Sequence, residues 1–152
     1  MKAFELLKSR KETVSFAESL TGGLIAATLI GNPGSSAVIA ESYVTYAEES
    51  KVRLLGVRKE TLETDGVVSA ACASEMASGA RLRSNADWGV SATGLAGPDG
   101  GTEETPVGTV FIGVAGAQGV QAFECHFGGG RDAVRSQAVA RAFELLKAEM
   151  EK

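Results

Sequence analysis

Residues 13–30, TVSFAESLTGGLIAATLI, decide how the chain is read. The first six, TVSFAE, are rich in β-branched and aromatic residues and predict a strand over 13–18. The next five, SLTGG, break it, because adjacent glycines punctuate regular structure. The last seven, LIAATLI, are apolar and predict a helix over 24–30. Gly31 stands at the expected C-cap, and Pro33 blocks continuation. In an open α/β sheet, ligands bind beyond the carboxyl ends of strands, and Ser19 falls at that point.

Working outward, Phe4, Leu6 and Leu7 have helical spacing within 2–10 and predict a short amphipathic helix. Residues 37–46, AVIAESYVTY, alternate and predict a second strand, with a short helix over 47–55 beginning just after Tyr46. Residues 59–65 are short and polar and are assigned no element. Residues 70–83, AACASEMASGARLR, form a helix of small residues able to pack closely on a sheet. A third strand covers 87–93, and a long loop covers 94–106. Strands over 107–115 and 120–127 form a hairpin through 116–119. Three glycines, 128–130, then open a last helix over 131–150, whose stripe is Val134, Ala138, Ala142 and Leu145, widened by Val139 and Leu146. The order predicts a single domain over 1–152 of the α/β class. Its expected form is a three-layer α/β/α sandwich around a mixed, mostly parallel sheet of about five strands.

Composition narrows the partners. Fifteen Lys and Arg against nineteen Asp and Glu give a net charge of −4, with no cationic stripe of the kind duplex nucleic acid needs. A small anion, which needs one or two Arg, stays compatible. Two cysteines, Cys72 and Cys125, are too few for a disulfide framework and point to a reducing, cytoplasmic setting. No apolar run reaches the eighteen residues of a membrane span, and the amino terminus lacks the apolar run of a signal peptide. One histidine and no acidic cluster argue against a transition-metal site, so neither metal nor cofactor is expected.

Four loops carry candidate chemistry. In AESLTGG, the N–H groups of Thr21, Gly22 and Gly23 are expected to point outward at a helix start, as an anion or oxyanion site. The alternative is that Ser19 or Thr21 simply caps the helix. In VTYAEESK, Tyr46 ends a strand and Lys51 lies about one turn into the next helix, so the two side chains can converge. A lysine serves as base to a serine only when neutral, which at pH 7 requires burial or nearby positive charge. A tyrosine hydroxyl can bridge such a pair. The alternative is a solvated Lys51 and a half-buried Tyr46. In TGLAGPDGG, Thr93, Gly94 and Gly97 belong to a glycine-rich loop whose backbone can approach a ligand closely, unless it is an ordinary surface loop. In FGGGRDAVR, Arg131 and Arg135 are four apart on one helix face beside a helix start, an arrangement suited to phosphate; the alternative is solvated pairing with Asp132. Cys125 and His126 are adjacent on a strand and face opposite ways, so they form no dyad. A triad using His126 as base to a serine stays open, and Trp88 is assigned to the core.

Taken together, AESLTGG, VTYAEESK, GLAGPDGG, PVGTV and GGGRDAVR resemble, in order and spacing, the CinA carboxy-terminal domain family, which includes standalone nicotinamide-mononucleotide deamidases. The resemblance runs from about Phe4 to Leu146. It implies a mixed-sheet α/β/α domain, usually a homodimer. It implies metal-independent hydrolysis of nicotinamide mononucleotide, a small pyridine nucleotide, to nicotinic acid mononucleotide and ammonia. By motif, Ser19 is then the nucleophile, Lys51 the general base and Tyr46 its partner. Thr93 and either Arg131 or Arg135 are substrate-binding positions. Leu20 stands where family members often carry Cys. A non-catalytic nucleotide-binding or regulatory module using the same pocket is the alternative from another class.

Overall fold

The structure, a computed structural model, describes residues 1–152. Its elements are α1 (Lys2–Arg10), β1 (Val14–Glu18), α2 (Leu24–Ile30), β2 (Tyr43–Val44), α3 (Glu48–Leu55), α4 (Lys59–Thr64), α5 (Ala70–Ser84), β3 (Trp88–Gly94), β4 (Thr109–Gly116), β5 (Gly119–His126) and α6 (Arg131–Met150). The strands form one sheet in the order β2-β1-β3-β4-β5. β1 is parallel to both its neighbours, while β3–β4 and β4–β5 are antiparallel, so β4 alone runs against the other four.

Strand side chains alternate between faces, and here the faces differ in size. On one face, Val14, Phe16, Val90, Ala92, Val110, Ile112 and Val114 pack against Leu7 of α1, Ile25 and Leu29 of α2, and Val134, Ala138 and Leu146 of α6. Phe16 meets Phe143 edge-on with ring centroids 5.9 Å apart. On the other face, Ala17 packs with Leu55, Val57, Cys72, Met76 and Ala80, from α3, the segment after it and α5. The sheet offers α5 small residues there: Ser15, Ala17, Gly89, Ser91 and Gly113. The Ser91 hydroxyl donates to Ala73 O at 2.6 Å and accepts from Gly113 N–H at 3.2 Å, tying helix to sheet. A Cβ on Gly113 would lie 2.5 Å from Ala73 O. Gly113→Ala is therefore expected to cost about 1–3 kcal/mol, the usual range for overpacking. Urea denaturation checks it, and an unchanged midpoint would contradict this close approach.

Three sequence expectations are corrected. The strand over 37–46 shrinks to Tyr43–Val44, preceded by a 3-10 turn at Ser35–Ala37. The reason lies in how β1's open edge is satisfied. Val14 N–H donates to Val38 O at 2.8 Å and Phe16 N–H to the Ser42 hydroxyl at 3.0 Å, so irregular chain replaces most of the ladder. Residues 59–65 are not merely polar but hold α4, pinned where Arg58 N–H and the Thr61 hydroxyl donate to the Glu75 carboxylate. β4 starts at Thr109 rather than 107, because Gly108 sits at φ +96° with its α-carbon against Phe127 O. No helix is long and apolar enough to cross a membrane.

Candidate active site

β1 ends at Glu18, and the turn after it is built from three features. Ser19 N–H donates to Ala92 O at 3.1 Å, anchoring the residue to β3. Gly22 and Gly23 take φ +58° and +103°, which L side chains resist. The fully buried Glu18 turns back, its Oε1 accepting Ile25 N–H at 2.9 Å and its Oε2 accepting Ala26 N–H at 3.0 Å. A carboxylate inside the protein thus caps α2, a role that neither Ser19 nor Thr21 fills. The Thr21 hydroxyl is buried without a partner.

The capping carboxylate revises the expected anion site. Gly22 N–H already donates to Ser19 O at 3.1 Å and the Glu18 carboxyl already occupies the helix start, while the Thr21 and Gly23 N–H groups keep no acceptor within the chain. Thr21, Gly22 and Gly23 do not line the adjoining cavity. Several lining amides find no acceptor within the chain, and the Leu20 N–H is the one that directly follows Ser19.

Lys51 is the fourth residue of α3 and points back beneath the end of β1, fully buried rather than solvated. Its Nζ lies 2.5 Å from Thr45 O, 3.2 Å from Tyr46 O and 3.2 Å from Ser19 Oγ. An uncharged amine has two hydrogens and one lone pair. In that form the two carbonyls take the hydrogens and the lone pair faces the Ser19 O–H; in the charged form the third N–H donates to Ser19 Oγ. Burial pushes the Lys51 pKa down, partly opposed by Cys72 and Glu48. Burial also pushes the Cys72 thiol up to about 11, so Cys72 opposes the Lys51 shift only where its thiolate forms, well above neutral pH.

Tyr46 differs from expectation in how it contributes. Its side chain is 66% exposed on the cavity rim and its hydroxyl makes no hydrogen bond; its backbone carbonyl, not its phenol, meets Lys51. The cavity has a volume of about 450 Å³. Its lining includes Ser19, Tyr46, Glu48, Thr93, Asp99 and Arg131. The Thr93 hydroxyl donates to Val67 O at 2.9 Å, which fixes its rotamer.

The two arginines of α6 share a helix face but serve different loops. Arg131 lines the cavity and donates from Nη1 to Gly97 O at 2.6 Å. Arg135 lies outside the cavity and donates from Nε to Leu20 O at 2.8 Å, holding the Ser19 turn from behind. Of the pair, Arg131 alone is placed to meet a ligand there. His126 is exposed, 3.4 Å from Glu124, and does not line the cavity. Glu18 and Glu48 escaped the sequence reading. A glutamate ending a buried strand directly before a glycine turn is the signal that could have revealed the first.

Comparison with known proteins gives one family. A family model described as the CinA C-terminal domain matches residues 1–150. A CinA-like protein of Endomicrobium trichonymphae is 47% identical over 148 residues, covering 97% of this chain and 35% of the relative. A putative competence-damage inducible protein of Clostridium perfringens is 47% identical over 150 residues, covering 97% and 36%. The chain thus spans about a third of the length of these curated relatives. Among solved structures, the competence/damage inducible protein CihA from Agrobacterium tumefaciens superposes with TM-score 0.93 at 41% identity, covering 100% of this chain and 97% of that one. A CinA superfamily protein from Klebsiella pneumoniae gives TM-score 0.95 at 34% identity, covering 99% and 94%.

Proposed function

The chain belongs to the CinA C-terminal domain family, and from that premise we propose that it is a metal-independent amidohydrolase that deamidates nicotinamide mononucleotide with Ser19 as nucleophile. The observation that carries the reading is a fully buried lysine amine 3.2 Å from a serine hydroxyl at the end of a strand. Few structural roles need an amine there, since removing a lysine from water is costly without an ionic partner.

Lys51 takes the Ser19 proton as Oγ attacks the carboxamide carbon. The developing oxyanion is met by the free Leu20 N–H beside the nucleophile and a second free amide of the lining, and such a donor is typically worth about 10²–10³ in rate. The Lys51 ammonium returns its proton to the departing amine, which leaves as ammonia. Water, deprotonated by the same amine, then opens the ester to give nicotinic acid mononucleotide and free Ser19. Thr45 and Tyr46 carbonyls hold the amine in place, and the Tyr46 ring borders the cavity mouth. Arg131 binds the 5′-phosphate far from the reacting carbon, where it supplies orientation.

Ammonia release from nicotinamide mononucleotide and from its riboside tests the reading. The nucleotide is expected to be the better substrate. Arg131→Ala is expected to raise the nucleotide KM about 10–100-fold, the usual worth of a charge-assisted contact, with a smaller effect on kcat. Equal KM for nucleotide and riboside in the unmodified protein would remove Arg131 from the phosphate. Saturable nucleotide binding without ammonia would reduce the chain to a binding module.

A further inference from the structure

One cation and two carboxylates line the cavity: Arg131, Glu48 and Asp99. They are not equivalent in position. Glu48 opens α3 three residues before Lys51, and its carboxylate is near enough to favour a protonated Lys51 amine. Arg131 is tied to Gly97, with Asp99 two residues further along that loop.

Glu48 is exposed to the cavity and carries no partner of its own. It forms no ion pair or side-chain hydrogen bond within the chain, whereas its neighbour Glu49 is paired with Arg53 at 2.8 Å. Glu49 also supplies the first-turn negative charge that a helix dipole favours. A carboxylate that holds the proton on the base works against the base, unless something positive arrives to oppose it.

We propose that Glu48 is a specificity residue that recognises the positive charge of an N-substituted, quaternary pyridinium ring, so that the site selects cationic nicotinamide nucleotides over neutral aromatic amides of the same shape. This rests on the reaction proposed above. In such a ring the charged nitrogen lies meta to the carbon bearing the carboxamide. With the amide at Ser19, the charge falls within a few ångströms of the reacting centre, and Glu48 is the lining carboxylate that shares α3 with the base. The ribose hangs from that nitrogen and carries the phosphate away toward Arg131. The ligand carries an amide, a cation and an anion; the cavity carries Ser19 beside Lys51, the Glu48 carboxylate and the Arg131 guanidinium. The bound ring also offsets the pull of Glu48 on the Lys51 proton, since a second positive charge beside the amine disfavours the ammonium. Glu48 therefore costs the base least when the correct ligand is present.

The test uses Ser19→Ala protein, so that ligands are not consumed, and two isosteric probes: nicotinamide mononucleotide, and benzamide riboside 5′-phosphate, in which carbon replaces the charged ring nitrogen. The cationic ligand is expected to bind about five- to tenfold more tightly, the scale of one partly shielded charge pair. Adding Glu48→Gln is expected to bring the ratio of dissociation constants to within about twofold of unity. Adding Glu49→Gln instead, which changes net charge equally outside the cavity lining, is expected to preserve the preference. Equal binding of the two probes by the Ser19→Ala protein, a preference that survives Glu48→Gln, or one lost equally with Glu49→Gln would overturn the assignment. Failure of the reaction itself would show separately, as no ammonia from the mononucleotide with Ser19 and Glu48 both intact.

Discussion

Ser19→Ala is expected to lower kcat for ammonia release by at least about 10³-fold while leaving the dissociation constant of the mononucleotide within about twofold. Nucleophile removal acts on bond making, so its effect belongs in kcat. The substitution should leave the fold intact, for reasons visible in the turn. The hydroxyl caps nothing; α2 is capped by Glu18, and Ser19 is held by its own N–H to Ala92 and its own carbonyl to Gly22. Steady-state kinetics and direct binding measure the two halves independently. Ammonia release at the original rate would end the serine assignment. A large loss of binding would instead mean that Ser19 shapes the site rather than reacting in it.

Lys51→Met is expected to lower turnover by a similar factor and, in addition, to change how stability depends on pH. The amine has its native pKa pushed down by burial, below that of the unfolded chain. Between the two values the unfolded chain binds more protons than the folded one, so stability rises with pH there, by at most about 1.4 kcal/mol per pH unit. Below the lower value both states are protonated and the full cost of the buried charge is present. Above the upper value neither is, and the cost is gone. Methionine has similar length and no proton to lose, so this rise should disappear from its denaturation profile. Activity of the unmodified protein should likewise climb with pH and level off where Lys51 has lost its proton. A stability profile with the same alkaline rise in Lys51→Met would place the titrating group elsewhere.

How much of this was legible varies along the chain. β1, the glycine turn and α2 were readable because each is signalled locally, by β-branched residues, adjacent glycines and an apolar run closed by Gly31. The last helix was readable to its ends, since three glycines precede Arg131. The second strand was not: Tyr43–Val44 is an edge whose neighbours are satisfied by a hydroxyl and a lone carbonyl, and alternation in sequence cannot distinguish that from a ladder. The proximity of Tyr46 and Lys51 to one site followed from spacing, but the burial of Lys51 did not. Burial comes from α3 lying against α5, a tertiary fact that leaves no local trace. The same holds for Tyr46, whose carbonyl rather than phenol meets the amine. Spacing of four also put Arg131 and Arg135 on one face correctly, yet their acceptors, Gly97 O and Leu20 O, lie in loops more than a hundred residues apart in one case and over thirty in the other. Glu18 was passed over because an acid at the end of a strand reads as a surface residue until the amides it caps are seen.

The central claim is that an amine free of its proton stands beside Ser19. Carbon-13 labelling of lysine side chains, with Lys51→Met to assign the resonance, allows the Lys51 Cε shift to be followed against pH in the folded protein. The claim predicts a midpoint well below the ordinary lysine value of about 10.4. A midpoint at or above that value, leaving the amine charged across the neutral range, would contradict it.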